Sequence, residues 1–235
     1  MKKSLKIKEC TTKKLFYKKW LFKIVIECGG LSSLHRRGIE YIQTVKPMYN
    51  SSSTWLKSST QTIISNRHNL IEIAYKLEDI LTLAPNQIRT EGGSTAIFTN
   101  SEKLIKEVSI QLQKYVVEIH RPAGTEQADF LLTNKNKIIC ERLPLAGYRY
   151  KVHFKNGEFK KENMDSFLNW AKNFEDGRIH IPKSTKRILE GETYPMMYGN
   201  YFYAKDQKMA AMALMIMGDH LNKSEEFVLK SEVNT

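Results

Sequence analysis

The clearest alternation of apolar and polar residues in the chain lies between Gly147 and Gly157. Successive side chains of an extended strand point to opposite faces, so this segment predicts a strand with one apolar face and one basic face. The apolar face would be buried in the core, and the basic face would be open to water or to a polyanion. The two rows are, in order, Tyr148, Tyr150, Val152 and Phe154, and Arg149, Lys151, His153 and Lys155.

The carboxy-terminal half predicts elements in the order β-α-β-β-α-β, which is that of a ferredoxin-like unit. Its helix after Asp206 is apolar nearly all round, which is typical of a helix buried between layers or of a Met-rich interface with a partner. After the strand at 147–157, the expected elements are a helix at 162–174, a strand at 178–181, a short helix around 185–189, a strand at 198–204, the helix that Asp206 caps and a strand at 226–230.

The amino-terminal half follows the same template, because Lys19–Ile26 parallels Gly147–Phe154 and Thr95–Leu104 parallels Asn200–Met209. We therefore expect an internal duplication. The expected elements are a strand from Leu15 to Glu27, a helix from Ser32 or Ser33 to about Val45, a flexible loop at 47–62, a helix at 63–81, a strand at 95–99, a helix at 101–114 with Thr99 and Glu102 as its capping box, a strand at 115–121, a polar connection at 123–136 and a strand at 137–143.

These patterns predict an α+β fold of two ferredoxin-like, RRM-like units in tandem, each with an antiparallel sheet and helices on one face. The expected division is a basic arm at 1–14, an enlarged first unit at 15–143 and a second unit at 144–235. Tyr198–Tyr203 resembles the third strand of RNA-recognition-motif proteins, although it lacks the basic residue that leads that strand. The early histidine after the first strand, His35, is similar to one in the repeat-associated RNA-processing proteins of CRISPR systems, whose Gly-rich loop is missing here.

Charge indicates the class of partner. The chain has 37 basic and 25 acidic residues and a net charge of +12, which favours nucleic acid or an anionic membrane over an acidic small molecule. No apolar run is long enough to span a bilayer, so we expect no membrane. Arg36 and Arg37 follow a Gly-Gly turn and oppose the helix dipole there, which a bound phosphate would explain. The expected nucleic-acid-binding residues are Lys18, Lys19, Lys23, Arg36, Arg37, Arg149, Lys151, His153, Lys155 and Arg178.

Catalytic and metal signatures are sparse in the sequence. The three cysteines form no C-x-x-C pair, which indicates neither a disulfide framework nor a zinc site and favours a reducing, cytoplasmic setting. The chain has no G-x-x-x-x-G-K-[ST], G-x-G-x-x-G or G-x-S-x-G motif. We therefore expect no cofactor and no metal. His35 with Arg36 and Arg37 is the alternative catalytic group, for metal-independent RNA cleavage.

The sequence thus favours a protein that binds single-stranded RNA or DNA, mainly through the backbone, and is more consistent with a non-enzyme than with an enzyme. A compact, Lys-rich chain of this kind is compatible with a viral, phage or mobile-element replication or RNA-processing system. The alternatives are a metal-independent ribonuclease that uses His35, and a structural or assembly subunit with a protein partner or a homo-oligomer interface.

Overall fold

The computed structural model describes residues 7–28, 31, 67–91, 93–174, 177–193 and 196–233. The chain divides into two compact units, Met1–Leu132 and Thr133–Thr235. The fold is mixed α+β, with two five-stranded, mostly antiparallel sheets and seven α-helices in these ranges. Among the described residues, no helix combines the length and apolar character that a bilayer crossing requires.

The sheet of unit 1 has the strand order β1-β5-β2-β4-β3. Its outermost strand β1 runs parallel to β5, and the other neighbours are antiparallel. The elements are β1 Lys8–Thr11, β2 Phe22–Ile26, α1 Arg67–Leu81, β3 Asn86–Glu91, β4 Ser94–Thr99, α2 Glu102–Gln111, β5 Val116–Arg121 and α3 Thr125–Thr133, the last of which ends at the first residue of unit 2.

The main sheet of unit 2 has the order β6-β12-β7-β11-β9, and β8 and β10 form a separate two-stranded ribbon. Two short 3₁₀ turns, Pro144–Ala146 and Gly218–His220, precede β7 and β12. The elements are β6 Lys137–Cys140, β7 Tyr150–Phe154, β8 Gly157–Glu158, α4 Lys161–Lys172, β9 Ile179–His180, α5 Lys183–Leu189, β10 Met196–Met197, β11 Tyr201–Ala204, α6 Gln207–Met217, β12 Leu221–Leu229 and α7 Lys230–Val233.

The two sheets share one connectivity. In each unit, the first strand of the chain lies at the edge of the sheet and pairs in parallel with the last strand. The second of these five strands pairs with the opposite side of that last strand and is the central strand of the sheet. The corresponding strands are β1 and β6, β2 and β7, β3 and β9, β4 and β11, and β5 and β12. All pairs other than the two parallel ones are antiparallel.

One face of the second sheet is buried against helices. Val152 and Phe154 of β7, with Phe202 of β11, belong to a core cluster that also contains Phe167 of α4 and Met209 of α6. Phe154 is 2% exposed, and its ring centroid lies 5.4 Å from that of Phe167 and 5.6 Å from that of Phe202. The inward positions expected from the alternation are therefore confirmed for Val152 and Phe154. Tyr148, expected on the same face, instead lies against His180 and Tyr203.

Helix α6 is less buried than its composition suggested. Met209, Ala213 and Met217 face the core. Three apolar side chains on the other side of the helix remain exposed, namely Leu214, Met215 and Ile216. Of the two expectations for this helix, burial between layers is therefore wrong for these three residues, and an interface with a partner stays a prediction.

Helix capping differs between the two units. Asp206 caps α6 as expected, because its Oδ1 accepts a hydrogen bond from the Met209 N–H at 2.9 Å. The expected capping box of Thr99 and Glu102 is wrong, since the N-cap of α2 is Ser101, whose Oγ accepts from the Leu104 N–H at 3.2 Å. The Thr99 hydroxyl instead accepts from the Ser101 N–H.

Three segments of the chain differ from their expected conformation. Residues 8–11 of the expected basic arm pair with β5 and are a strand of the sheet. Residues 125–133 of the expected polar connection form α3, and Asn86–Glu91 is an edge strand that the sequence did not predict. The strand at 137–140 was expected in the first unit, but it pairs with β12 of the second.

Candidate functional site on the open face of the second sheet

The face of the second sheet opposite the core carries two rows of polar and aromatic side chains. They alternate with the buried Val152, Phe202 and Ala204, so strand geometry places them on the outer face. Strand pairing aligns one row across β12, β7, β11 and β9 and the other across β12, β7 and β11. We call these seven residues the platform, and its rows are Glu225, Lys151, Tyr203 and His180, and Lys223, His153 and Tyr201.

The aromatic part of the platform is centred on Tyr203. Its ring centroid lies 5.3 Å from that of Tyr201 in an edge-to-face arrangement and 6.2 Å from that of His180. Tyr148, which precedes β7, extends this group with its centroid 5.9 Å from the His180 ring. Burial, followed by a hydrogen bond with Tyr201, raises the pKa of Tyr203 to about 12. The phenol is therefore neutral at physiological pH.

The charged part of the platform surrounds Glu225. This residue is only 6% exposed, and each of its oxygens has a cationic or titratable partner. Its Oε2 lies 2.9 Å from His153 Nε2, and its Oε1 accepts a hydrogen bond from Lys223 Nζ at 2.9 Å. Such pairing offsets the desolvation cost of burying a carboxylate in a folded protein.

Lys151 connects the charged and aromatic parts. Its Nζ lies 3.7 Å from the centroid of the Tyr201 ring, which is within the range of a cation–π contact. The platform has two ammonium groups, those of Lys151 and Lys223, against the single carboxylate of Glu225. It is therefore a partly buried aromatic surface with a positive bias.

The basic row expected along Arg149–Lys155 is divided in the structure. Lys151 and His153 belong to the platform, whereas Arg149 lies before β7 and donates two hydrogen bonds to Glu232, at 3.0 and 2.6 Å. The hydrogen bond from Arg149 lowers the pKa of Glu232 to about 2. Lys155 follows the strand, is exposed, and has its Nζ 4.0 Å from Asp219 Oδ1.

The remaining expected binding residues lie elsewhere. The Arg178 guanidinium lies 4.7 Å from the centroid of the Phe174 ring. Lys19 lies over the Trp20 ring at 4.3 Å, and Lys23 forms an ion pair with Glu91 at 2.6 Å. Lys18 is in the turn before β2. His35, Arg36 and Arg37 lie outside the described residues.

The corresponding face of the first sheet is covered by its own chain. The connection between β1 and β2 places Phe16 against Phe98 and His120, with centroid distances of 5.5 and 5.4 Å. Trp20 is 3% exposed, and its indole N–H donates to Gln87 at 3.0 Å. The connection between β1 and β2 therefore closes Phe98 and Trp20 of the first sheet to a ligand.

Sequence reasoning missed several platform residues. Tyr201 and Tyr203 were placed on a strand, but they were not assigned to the site, although the Tyr-Phe-Tyr-Ala alternation is the signal that could have found them. Lys223 and Glu225 were also missed. Their contact with His153 depends on strand register between positions 72 residues apart, for which the sequence carries no local signal.

Comparison with protein-family models, with curated proteins and with solved structures finds no match for this chain. The function must therefore be argued from the platform itself. Tilted aromatic rings with adjacent ammonium groups can hold a flat, anionic ligand, and a carboxylate–imidazole pair can transfer a proton.

Proposed function

We propose that the protein binds single-stranded nucleic acid on the platform of the second sheet. The observation that carries this proposal is the contact between Lys151 and the Tyr201 ring at 3.7 Å, beside the ring of Tyr203. One surface thus joins partly exposed aromatic faces to an ammonium group. Unpaired bases stack on such rings with a gain of about 1–3 kcal/mol each, and ammonium groups attract the adjoining phosphates.

We also propose that each unit is ferredoxin-like, so that the chain is a tandem repeat of one fold. The support is the shared connectivity, in which the β-α-β-β-α-β order of unit 2 is completed by β7, α4, β9, β11, α6 and β12. Each unit adds one parallel strand outside this set, β6 in unit 2 and β1 in unit 1. The presence of the same additional strand in both units favours a common origin for them.

The charge of the chain supports a polyanionic partner. The net charge of +12 exceeds what the platform itself carries, so basic residues elsewhere in the chain add long-range attraction that weakens with salt. The expected set of Lys18, Lys19, Arg36 and Arg37 belongs to this contribution. Arg149 is paired with Glu232 and Lys23 with Glu91, which reduces the contribution of these two basic residues to the attraction. Base stacking on the tyrosine rings therefore supplies a larger part of the binding free energy than it would if all of the expected basic residues met phosphates.

The direct test is fluorescence anisotropy with labelled single-stranded and double-stranded RNA and DNA. Replacing both Tyr201 and Tyr203 with Ala should weaken single-strand binding by about 30-fold or more, since each of the two stacked bases is worth at least about 1 kcal/mol. Tyr198→Ala is the matched control, because Tyr198 is 65% exposed and lies outside the two rows. Equal affinity of the double variant and the control would contradict the proposal. Circular dichroism establishes that each variant is folded.

A second candidate function is metal-independent RNA cleavage. The observation that favours it is the 2.9 Å contact between His153 Nε2 and the buried Glu225 carboxylate. If Nε2–H donates to Glu225, Nδ1 carries the lone pair and can accept the proton of a ribose 2′-hydroxyl. His35, the catalytic group expected from the sequence, lies outside the described residues.

Cleavage is tested with labelled RNA in EDTA, with the all-DNA strand as the control that lacks the 2′-hydroxyl. The second candidate is supported if the wild-type protein and the His35→Ala variant cleave RNA and the His153→Ala variant does not. Binding without cleavage leaves stacking as the function. The assembly alternative draws on the exposed Leu214, Met215 and Ile216 of α6, and light scattering with and without oligonucleotide tests it.

A further inference from the structure

Three side chains of metal-ligating types converge on the first sheet. Strand β1 runs parallel to β5 with Cys10 opposite His120, and Glu118 precedes His120 by two positions on the same strand face. Cys10 Sγ and His120 Nε2 each lie 3.2 Å from Glu118 Oε1. The three candidate ligand atoms all lie within 4.8 Å of one another.

These separations are close to those of a metal site. A tetrahedral zinc ion with bonds of about 2.3 Å to sulfur and about 2.0–2.2 Å to nitrogen and oxygen holds neighbouring ligand atoms about 3.3–3.6 Å apart. The observed 3.2 Å contacts are slightly shorter, so small side-chain movements would admit the ion. The pairing of β1 with β5 sets these positions, so the arrangement does not depend on a loop.

A second observation concerns His120. Its Nε2 is buried and makes no hydrogen bond, although it lies beside the Glu118 carboxylate. A buried nitrogen without a well-aligned hydrogen bond is costly in a folded protein. Coordination to a cation would satisfy this atom. The Phe16 ring lies edge-on against the imidazole with its centroid 5.4 Å away, which limits the directions in which the imidazole can turn.

Lys8 currently occupies the cationic position at this carboxylate. Its Nζ donates to Glu118 Oε1 at 2.9 Å. The Lys8 side chain is 71% exposed, so it can move into water and leave Glu118 to another cation. Exposed ion pairs of this kind are weak, typically about 0–1 kcal/mol. Lys8 is therefore a competitor that a divalent ion could displace.

We propose that Cys10, Glu118 and His120 bind a first-row divalent cation of the zinc class. The ligand set of one thiolate, one imidazole and one carboxylate suits this borderline-soft ion better than Mg²⁺ or Ca²⁺, which prefer oxygen ligands. Three protein ligands leave a fourth position for water. The site is independent of the nucleic-acid proposal, and it differs from the sequence expectation of no metal.

Cobalt(II) is the probe for this site, because tetrahedral cobalt absorbs in the visible and a bound thiolate adds a charge-transfer band in the near ultraviolet. The tag-free, reduced full chain should show both features on titration with Co²⁺, and Zn²⁺ should remove them by displacement. Cys10→Ser should lose the charge-transfer band, and His120→Ala should weaken Co²⁺ binding by at least about tenfold. Cys140→Ser is the matched thiol control and should keep the wild-type spectrum.

Lys8→Met provides a variant that leaves every ligand in place. It should tighten Co²⁺ binding, since the competing ammonium is gone. The proposal is overturned if wild-type protein shows no thiolate band, if Cys10→Ser and wild type give the same spectrum, or if Cys140→Ser removes the band. Should Cys10→Ser and His120→Ala fail to fold, unchanged Co²⁺ affinity in Lys8→Met would also overturn it.

Discussion

Phe154→Ala is the sharpest test of how the second sheet is packed. Phe154 is 2% exposed, and its ring contacts those of Phe159, Phe167 and Phe202 at centroid distances of 5.8, 5.4 and 5.6 Å. Phe-to-Ala changes in a core of this kind cost about 3–5 kcal/mol, because the apolar surface is lost and a cavity remains. Since a domain is stable by only about 5–15 kcal/mol, this is a large part of the stability of unit 2.

Hydrogen exchange with mass spectrometry is the suitable assay, because peptides from β7 and β11 report on unit 2 separately from unit 1. Phe154→Ala should lower the free energy of opening measured in those peptides by about 3 kcal/mol or more. The matched control is Lys155→Ala, one position along the chain and exposed, which should change it by no more than about 0.5 kcal/mol. A change below about 1 kcal/mol for Phe154→Ala would refute the assigned facing of β7.

Three further predictions concern charge and capping. Lys151→Gln should flatten the slope of log affinity against log salt by about 0.7 for a single strand, as measured by anisotropy, and an unchanged slope would mean that Lys151 meets no phosphate. Because the folded protein holds the Tyr203 proton up to a pKa of about 12, against the ordinary tyrosine pKa of 10.0, stability should fall as pH rises from 10.0 to about 12. Chemical denaturation measures this loss, which Tyr203→Phe should reduce. Asp206→Ala removes the hydrogen bond to the Met209 N–H and should cost about 1 kcal/mol in the same assay, and no loss would contradict its capping role.

The sequence predicted features that are local in the chain. The inward side chains of β7 followed from a two-residue alternation, and the cap of α6 followed from one aspartate before an apolar run. Edge strand β3 was missed because Asn86, Gln87, Arg89 and Glu91 show no apolar face. Helix α3 was missed because its buried side chains are only Gln127 and Leu131, which leave too weak a periodic signal.

The candidate sites depend on pairings that no short window contains. Cys10 and Glu118 are 108 positions apart and meet because β1 pairs with β5 in one particular register. His153 and Glu225 meet through the register of β7 and β12. A shift of one residue in either pair would turn the side chains to opposite faces. Composition indicated a polyanionic partner, but only strand pairing places Lys151 beside the Tyr201 ring.

The most direct test of the central claim is to map where a single strand lies on the protein. An oligonucleotide that carries 5-iodouridine at every position can be photocrosslinked to the full chain and the modified peptides identified by mass spectrometry. Binding on the platform predicts crosslinks at Tyr201 or Tyr203 that unlabelled competitor prevents. A bound oligonucleotide whose crosslinks all lie outside the open face of the second sheet would contradict the proposed site.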